Sequence, residues 1–189
     1  LEYDIPNDTS VSYLSLDTSS NVYLWSENAT AELTEVALHF SRKDEQGDQP
    51  ILFEYPIKSF DVDGSNVIIG QPTFPQVGYT GRVTLYNINF TGITIFTEPV
   101  NDYGQSVDID GSSCIISGED FVFIYDINNE TEADASINIP HANIVKIKNN
   151  KAICFDGTNI HYITKYNGTW SVHSSNDYSS FMYVTSMRD

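Results

Sequence analysis

Cysteine, positive charge and long apolar runs are what this 189-residue chain has least of, and each shortage excludes a class of protein. Two cysteines, Cys114 and Cys154, are too few to staple a small disulfide scaffold, and their spacing matches no structural zinc site. Nine basic residues stand against 26 acidic ones, giving a net charge of −17. A field of that sign repels phosphate backbones and anionic lipid, so neither a nucleic-acid partner nor membrane insertion is expected. No apolar stretch approaches the roughly 20 residues that span a bilayer. The chain opens at Leu1 without a basic, apolar leader, which is read as a processed form or a piece of something larger.

The four histidines are equally uninformative as chemistry. His39, His141, His161 and His173 fall in four separate stretches, with no pair at metal-ligand spacing. No nucleophile-elbow motif is present, and acidic pairs are so common here that they do not point to glycoside chemistry. The expectation is a non-enzyme.

What the chain does have is large β-formers and a repeat. Aromatics make up 13% of it, with 12 Tyr and 10 Phe. Ser59-Phe60-Asp61-Val62-Asp63-Gly64-Ser65 is echoed by Ser106-Val107-Asp108-Ile109-Asp110-Gly111-Ser112, a step of 47 residues. Each copy reads as a strand, an Asp-Gly turn and a second, apolar strand. A weaker copy surrounds Asp17, and a fourth, with Asn149-Asn150 in the turn, follows after about 39 residues.

Two further strands follow each hairpin. In the second unit they flank Asn89 to Gly92, in the third Asn128 to Glu130, and in the fourth the strong turn pair Asn167-Gly168. Four short strands per unit match the arithmetic of a propeller blade, whose sheet buries both faces against its neighbours. The predicted fold is therefore all-β, with about four four-stranded antiparallel β-propeller-type units at 11–56, 57–103, 104–143 and 144–180. Such a chain forms a small propeller or part of a larger ring.

The repeat resembles the FG-GAP units of integrin α-subunits and exported surface proteins. Tyr103-Gly104-Gln105-Ser106 is similar to the family's aromatic-Gly-x-Ser opening, Ile68-Ile69-Gly70-Gln71-Pro72 to its Gly-Ala-Pro signature, and Gly81-Arg82-Val83-Thr84-Leu85-Tyr86 to the strand that follows. The match is good over residues 57–126 and loose at the flanks. It implies an extracellular, adhesive module that contacts protein or glycan at the cell surface or assembles with itself. A lectin or a glycan-active propeller enzyme is the competing expectation.

Integrin-like repeats also hold calcium in loops, which makes Asp61, Asp63, Asp108 and Asp110 the candidate metal ligands. Calcium wants roughly six to eight oxygens, and no later carboxylate completes either set. The four are better read as polar strand positions and hairpin turns, so no cofactor is expected and calcium stays only as the rival. Five Asn-x-Ser/Thr sequons, at Asn7, Asn28, Asn89, Asn129 and Asn167, are candidate glycosylation sites. Aligning Gly118 with Gly157 puts Cys114 and Cys154 one residue out of step on adjacent units. They therefore lie on opposite sheet faces, where they either meet as a disulfide or stand apart as buried thiols. The stretch Gln71 to Thr80, with Phe74 and Tyr79, reads as a long loop and the best candidate contact surface.

Overall fold

The computed structural model describes residues 11–17, 22–27, 36–42, 51–53, 55–87, 93–129 and 132–177. Within them lie sixteen strands in four four-stranded sheets, each a plain antiparallel meander in chain order. The first sheet is β1 (Val11–Asp17), β2 (Val22–Glu27), β3 (Val36–Arg42) and β4 (Ile51–Phe53). The second is β5 (Ser59–Asp63), β6 (Asn66–Pro75), β7 (Thr80–Asn87) and β8 (Ile93–Phe96). The third comprises β9 (Val107–Asp110), β10 (Ser113–Ser117), β11 (Phe121–Asp126) and β12 (Ala135–Asn138). The fourth is β13 (Ile144–Lys148), β14 (Lys151–Phe155), β15 (Asn159–Tyr166) and β16 (Thr169–Asp177).

Turn chemistry fixes the hairpins. Asp63 pairs with Asn66 and Asp110 with Ser113, leaving Gly64 and Gly111 at φ 58°, where glycine carries no steric penalty. The fourth sheet makes its first turn with Asn149 and Asn150, at φ 49° and 61°, the residue type that best tolerates this region after glycine. Asn167-Gly168 closes its last hairpin, both residues left-handed.

The first strands of the four sheets lie side by side, β1 by β5, β5 by β9 and β9 by β13, and the second and third sheets each pack a face on the next. Alternation then divides the strands of the third sheet between two neighbours. Ile68, Val83, Leu85 and Phe96 of the second sheet meet Val107, Ile109, Cys114, Ile116, Phe123 and Tyr125 of the third. The other face of the third, Ile115, Val122 and Ile124, meets Val145, Ile147, Ala152, Cys154, Ile163 and Trp170 of the fourth. The apolar core is thus a series of layers between sheets.

Candidate contact surface

The repeated Asp-x-Asp pairs are spent on joining sheets. Asp61 Oδ2 accepts from the Ile109 backbone N–H at 3.1 Å, and Asp63 Oδ2 from Gly111 N–H at 2.6 Å. One sheet further on, Asp108 Oδ2 accepts from Ile147 N–H at 2.7 Å and Asp110 Oδ2 from Asn149 N–H at 2.7 Å. Each carboxylate thus caps a backbone donor of the next sheet's first strand or of the turn that follows it. The serines one step earlier do similar work: Ser59 Oγ donates to the Gly104 carbonyl and Ser106 Oγ accepts from Val145 N–H. Their oxygens point at backbone amides and are not gathered around one point. Among the described residues no group of three or more His, Cys, Asp or Glu is placed to hold a metal ion.

In the fourth sheet the corresponding positions are Lys146 and Lys148. Lys146 Nζ pairs with the buried Asp108, and Lys148 Nζ lies 3.3 Å from Asp110. Sequence reading missed this role, although Lys-x-Lys standing where earlier copies carry Asp-x-Asp was a visible signal. Burial, and then the Asp61 carboxylate, push the Asp108 carboxyl up to about 8 against the pull of Lys146 and the Ile147 N–H.

The strand pairing corrects the cysteine alignment. Asp110 pairs with Ser113, and Lys148 with Lys151, so Ser113 corresponds to Lys151 and Ile116 to Cys154. Cys114 and Cys154 are therefore two residues out of step and face the same way, each toward its preceding sheet. They end in different core layers as free, buried thiols, with no disulfide between them. Burial pushes both thiols up to about 12.

Of the sequons, Asn129 and Asn167 sit exposed in turns, while Asn7, Asn28 and Asn89 lie outside the described residues. Residues Gln71 to Thr80 are not a loop. β6 runs to Pro75 and pairs again with Thr80 after a bulge, which extends the β6–β7 hairpin beyond its neighbours and leaves a tip at Gln76 to Tyr79. Gln76 N–H donates to the Tyr79 carbonyl at 3.1 Å, closing the tip. At the base, the Arg82 guanidinium lies 3.9 Å from the Phe74 ring centre and donates to Gln71 Oε1 at 2.7 Å. Tyr55 meets Phe74 edge-on at 4.9 Å, and Gln71 Nε2 donates to the Tyr55 carbonyl. Phe74 is thus a half-buried brace, Tyr79 is half-buried, and Val77 at the apex is 97% exposed.

The segment between the second and third sheets is locked by close backbone contact. A Cβ on Gly70 would lie 2.2 Å from the Gly104 carbonyl oxygen, so the two sheets meet only because that position is glycine. Tyr103, fully buried, donates to Tyr125 Oη at 2.9 Å, which donates to Glu98 at 2.7 Å. Burial raises the Tyr103 and Tyr125 hydroxyls, keeping them protonated as donors.

No family model and no curated protein sequence matches the chain. Solved structures do. A chain of the nidogen/laminin complex superposes with a TM-score of 0.68 at 9% identity, over 90% of this chain and 65% of that one. These four sheets are the blades of a β-propeller. Hsv2 from Kluyvelomyces marxianus (TM-score 0.56, 9% identity, 86% of this chain and 60% of that one) has the same arrangement. HIRA residues 644–1017 (TM-score 0.52, 9% identity, 89% and 54%) share it too. The chain spans between 54% and 65% of the length of these propellers. At such identity the likeness concerns the fold, and the features of the blades argued above belong to this sequence.

Proposed function

We propose that this propeller is a non-catalytic protein-interaction module whose contact element is the β6–β7 hairpin. One observation carries the reading: a braced hairpin that projects past its blade and presents an almost fully exposed valine. An apolar apex on a rigid stem loses little conformational entropy on docking, which is where affinity is gained. One of the propellers compared comes from a complex of two proteins, nidogen with laminin, which favours a protein partner over a small substrate.

The module belongs outside the cell and is a divergent relative of the FG-GAP kind. Two described sequons in exposed turns support export, and the Tyr103-Gly104 and Gly70 positions, where this sequence resembles that family, form the contact between the second and third blades. Binding assays on immobilised laminin and on a glycan array test the reading. Saturable protein binding weakened at least about tenfold by Val77→Asp is the expected result. Binding confined to one glycan class, or turnover of a glycan, would replace it with a lectin or an enzyme.

A further inference from the structure

The two most exposed large apolar side chains among the described residues lie at opposite ends of the propeller: Val77, 97% exposed, and Tyr166, 73% exposed. The first strands fix these ends. Asp61 reaches Ile109 and Asp63 reaches Gly111, and likewise Asp108 reaches Ile147 and Asp110 reaches Asn149, so successive first strands run parallel. In each meander the turn between second and third strands therefore lies at one end, and the turn between third and fourth strands at the other. The β6–β7 tip belongs to the first end. Asn129, between β11 and β12, and Asn167, between β15 and β16, belong to the second.

Residues 57–177 hold three Asn-x-Ser/Thr sequons, at Asn89, Asn129 and Asn167, and all three stand between the third and fourth strands of a blade. Asn89 lies outside the described residues, and chain order alone gives its place. No sequon falls in the connections at the hairpin end of these three blades. Asn28, between β2 and β3, and Asn7, ahead of β1, belong to other connections.

The two described sequons are shaped as acceptors. In the third blade the turn is held by Asn128, which donates twice to Asp126 Oδ1, and by the Asn129 N–H on the Asp126 carbonyl. The Asn129 side chain is left exposed, and among the described residues its amide has no partner. The same holds for Asn167, which shares a two-residue turn with Gly168 at φ 49° and 82°. Thr169, whose hydroxyl completes the sequon, is exposed as well and is the cross-strand partner of Tyr166. The Tyr166 ring thus stands one residue before the acceptor and on the same face as Thr169. There its π face is open to the C–H face of a first sugar.

We infer that Asn129 and Asn167 carry N-linked glycans, which sheathe the end of the propeller opposite the hairpin, and that the first sugar on Asn167 packs against Tyr166. Transfer needs one co-reactant, an oligosaccharide carried on a lipid pyrophosphate. The amide Nδ2 bonds to C1 of the first sugar and the C1–O bond to phosphate breaks. The amide proton passes to a base of the transferase, and the lipid pyrophosphate leaves. This assignment rests on the proposed export of the chain and not on the hairpin as contact element.

The full chain, led by a signal peptide into the secretory route of a glycosylating host, tests it. Enzymatic release that turns each carrier asparagine into aspartate marks occupied sites for peptide mass mapping, on secreted and retained chain alike. Marks on the Asn129 and Asn167 peptides are expected, with Asn167→Gln and Thr169→Ala each erasing only the second. The glycosylated chain should melt about 2–4 °C above the same chain from a host that adds no glycan, and Tyr166→Ser should remove most of that difference. An unmarked peptide at either asparagine overturns the inference. Equal melting of the two forms, or a difference that Tyr166→Ser leaves intact, overturns the seating on Tyr166. A chain marked at both sites but not secreted supports the glycans and counts against export.

Discussion

Asp108 accepts one hydrogen bond from a buried backbone amide and pairs with the Lys146 ammonium, so its removal orphans two groups. Asp108→Ala is expected to cost about 3–5 kcal/mol, the penalty for leaving a buried amide and a partly buried ammonium without their acceptor. Asp61→Ala, which frees a partly buried amide, should cost about 1–3 kcal/mol. At Asp63, whose bond to Gly111 is exposed, the same change should cost under about 1 kcal/mol. Urea midpoints at constant slope would establish the order. The pH dependence has a defined sign. Burial, and then the Asp61 carboxylate facing it from β5, keep Asp108 protonated in the folded chain up to about 8 against the pull of Lys146 from β13, whereas it ionises near 4 when unfolded. Its contribution is therefore complete below pH 4 and is lost as pH rises through about 8, so the midpoint should fall across that window. Asp61→Asn should flatten the fall by removing the neighbouring charge. Asp156 acts in the opposite window: backbone and side-chain donors from Asn159, Thr158 and His161 outweigh burial and hold it low, so its contribution disappears only as pH drops below 4. None of this was legible at the residue level. The Asp-x-Asp repeat was visible, but each carboxylate's partner lies 39 or 48 residues away, beyond any local pattern.

The elements were largely readable because β-branched runs and Asp-Gly, Asn-Asn and Asn-Gly turns fix strand and hairpin locally. The stretch Gln71 to Thr80 was misread for a physical reason. Pro72 and Pro75 lack a donor and looked like breaks, yet a bulge lets β6 carry them and resume pairing at Pro75 with Thr80. That hairpin predicts two unequal glycine substitutions. Gly81 holds φ 113° with a Cβ position 2.4 Å from the Tyr103 carbonyl oxygen, so Gly81→Ala must displace the segment joining the second and third blades. Gly78, at the tip with φ 88°, has nothing within 4 Å. Gly78→Ala should cost only the strain of a left-handed alanine, about 1–2 kcal/mol, and Gly81→Ala considerably more. Thermal melts of the two variants would separate them, and equal destabilisation would contradict the close approach.

At the scale of the whole molecule, stability resides in the layers between blades, since no blade can bury both faces alone. Length, strand count and period made this architecture legible; the cysteine faces were not, because an alignment on flanking glycines slipped by one residue: β10 runs straight into Gly118, whereas Asp156 separates the end of β14 from Gly157. The layered core makes a prediction about a shortened chain. Ending the chain at residue 143 removes Val145, Ile147, Ala152, Cys154, Ile163 and Trp170, one half of the layer between the third and fourth blades. Ile115, Val122 and Ile124 are then uncovered, while Asp108 and Asp110 lose the donors they cap. The layer between the second and third blades keeps every one of its residues. Hydrogen exchange should therefore show protection retained in β6 and β7 and lost in β11 and β12, with a lower urea midpoint overall. Uniform loss of protection across all the remaining strands would mean that the four blades fold as one indivisible unit, and the nearest-neighbour account of their stability would have to be abandoned.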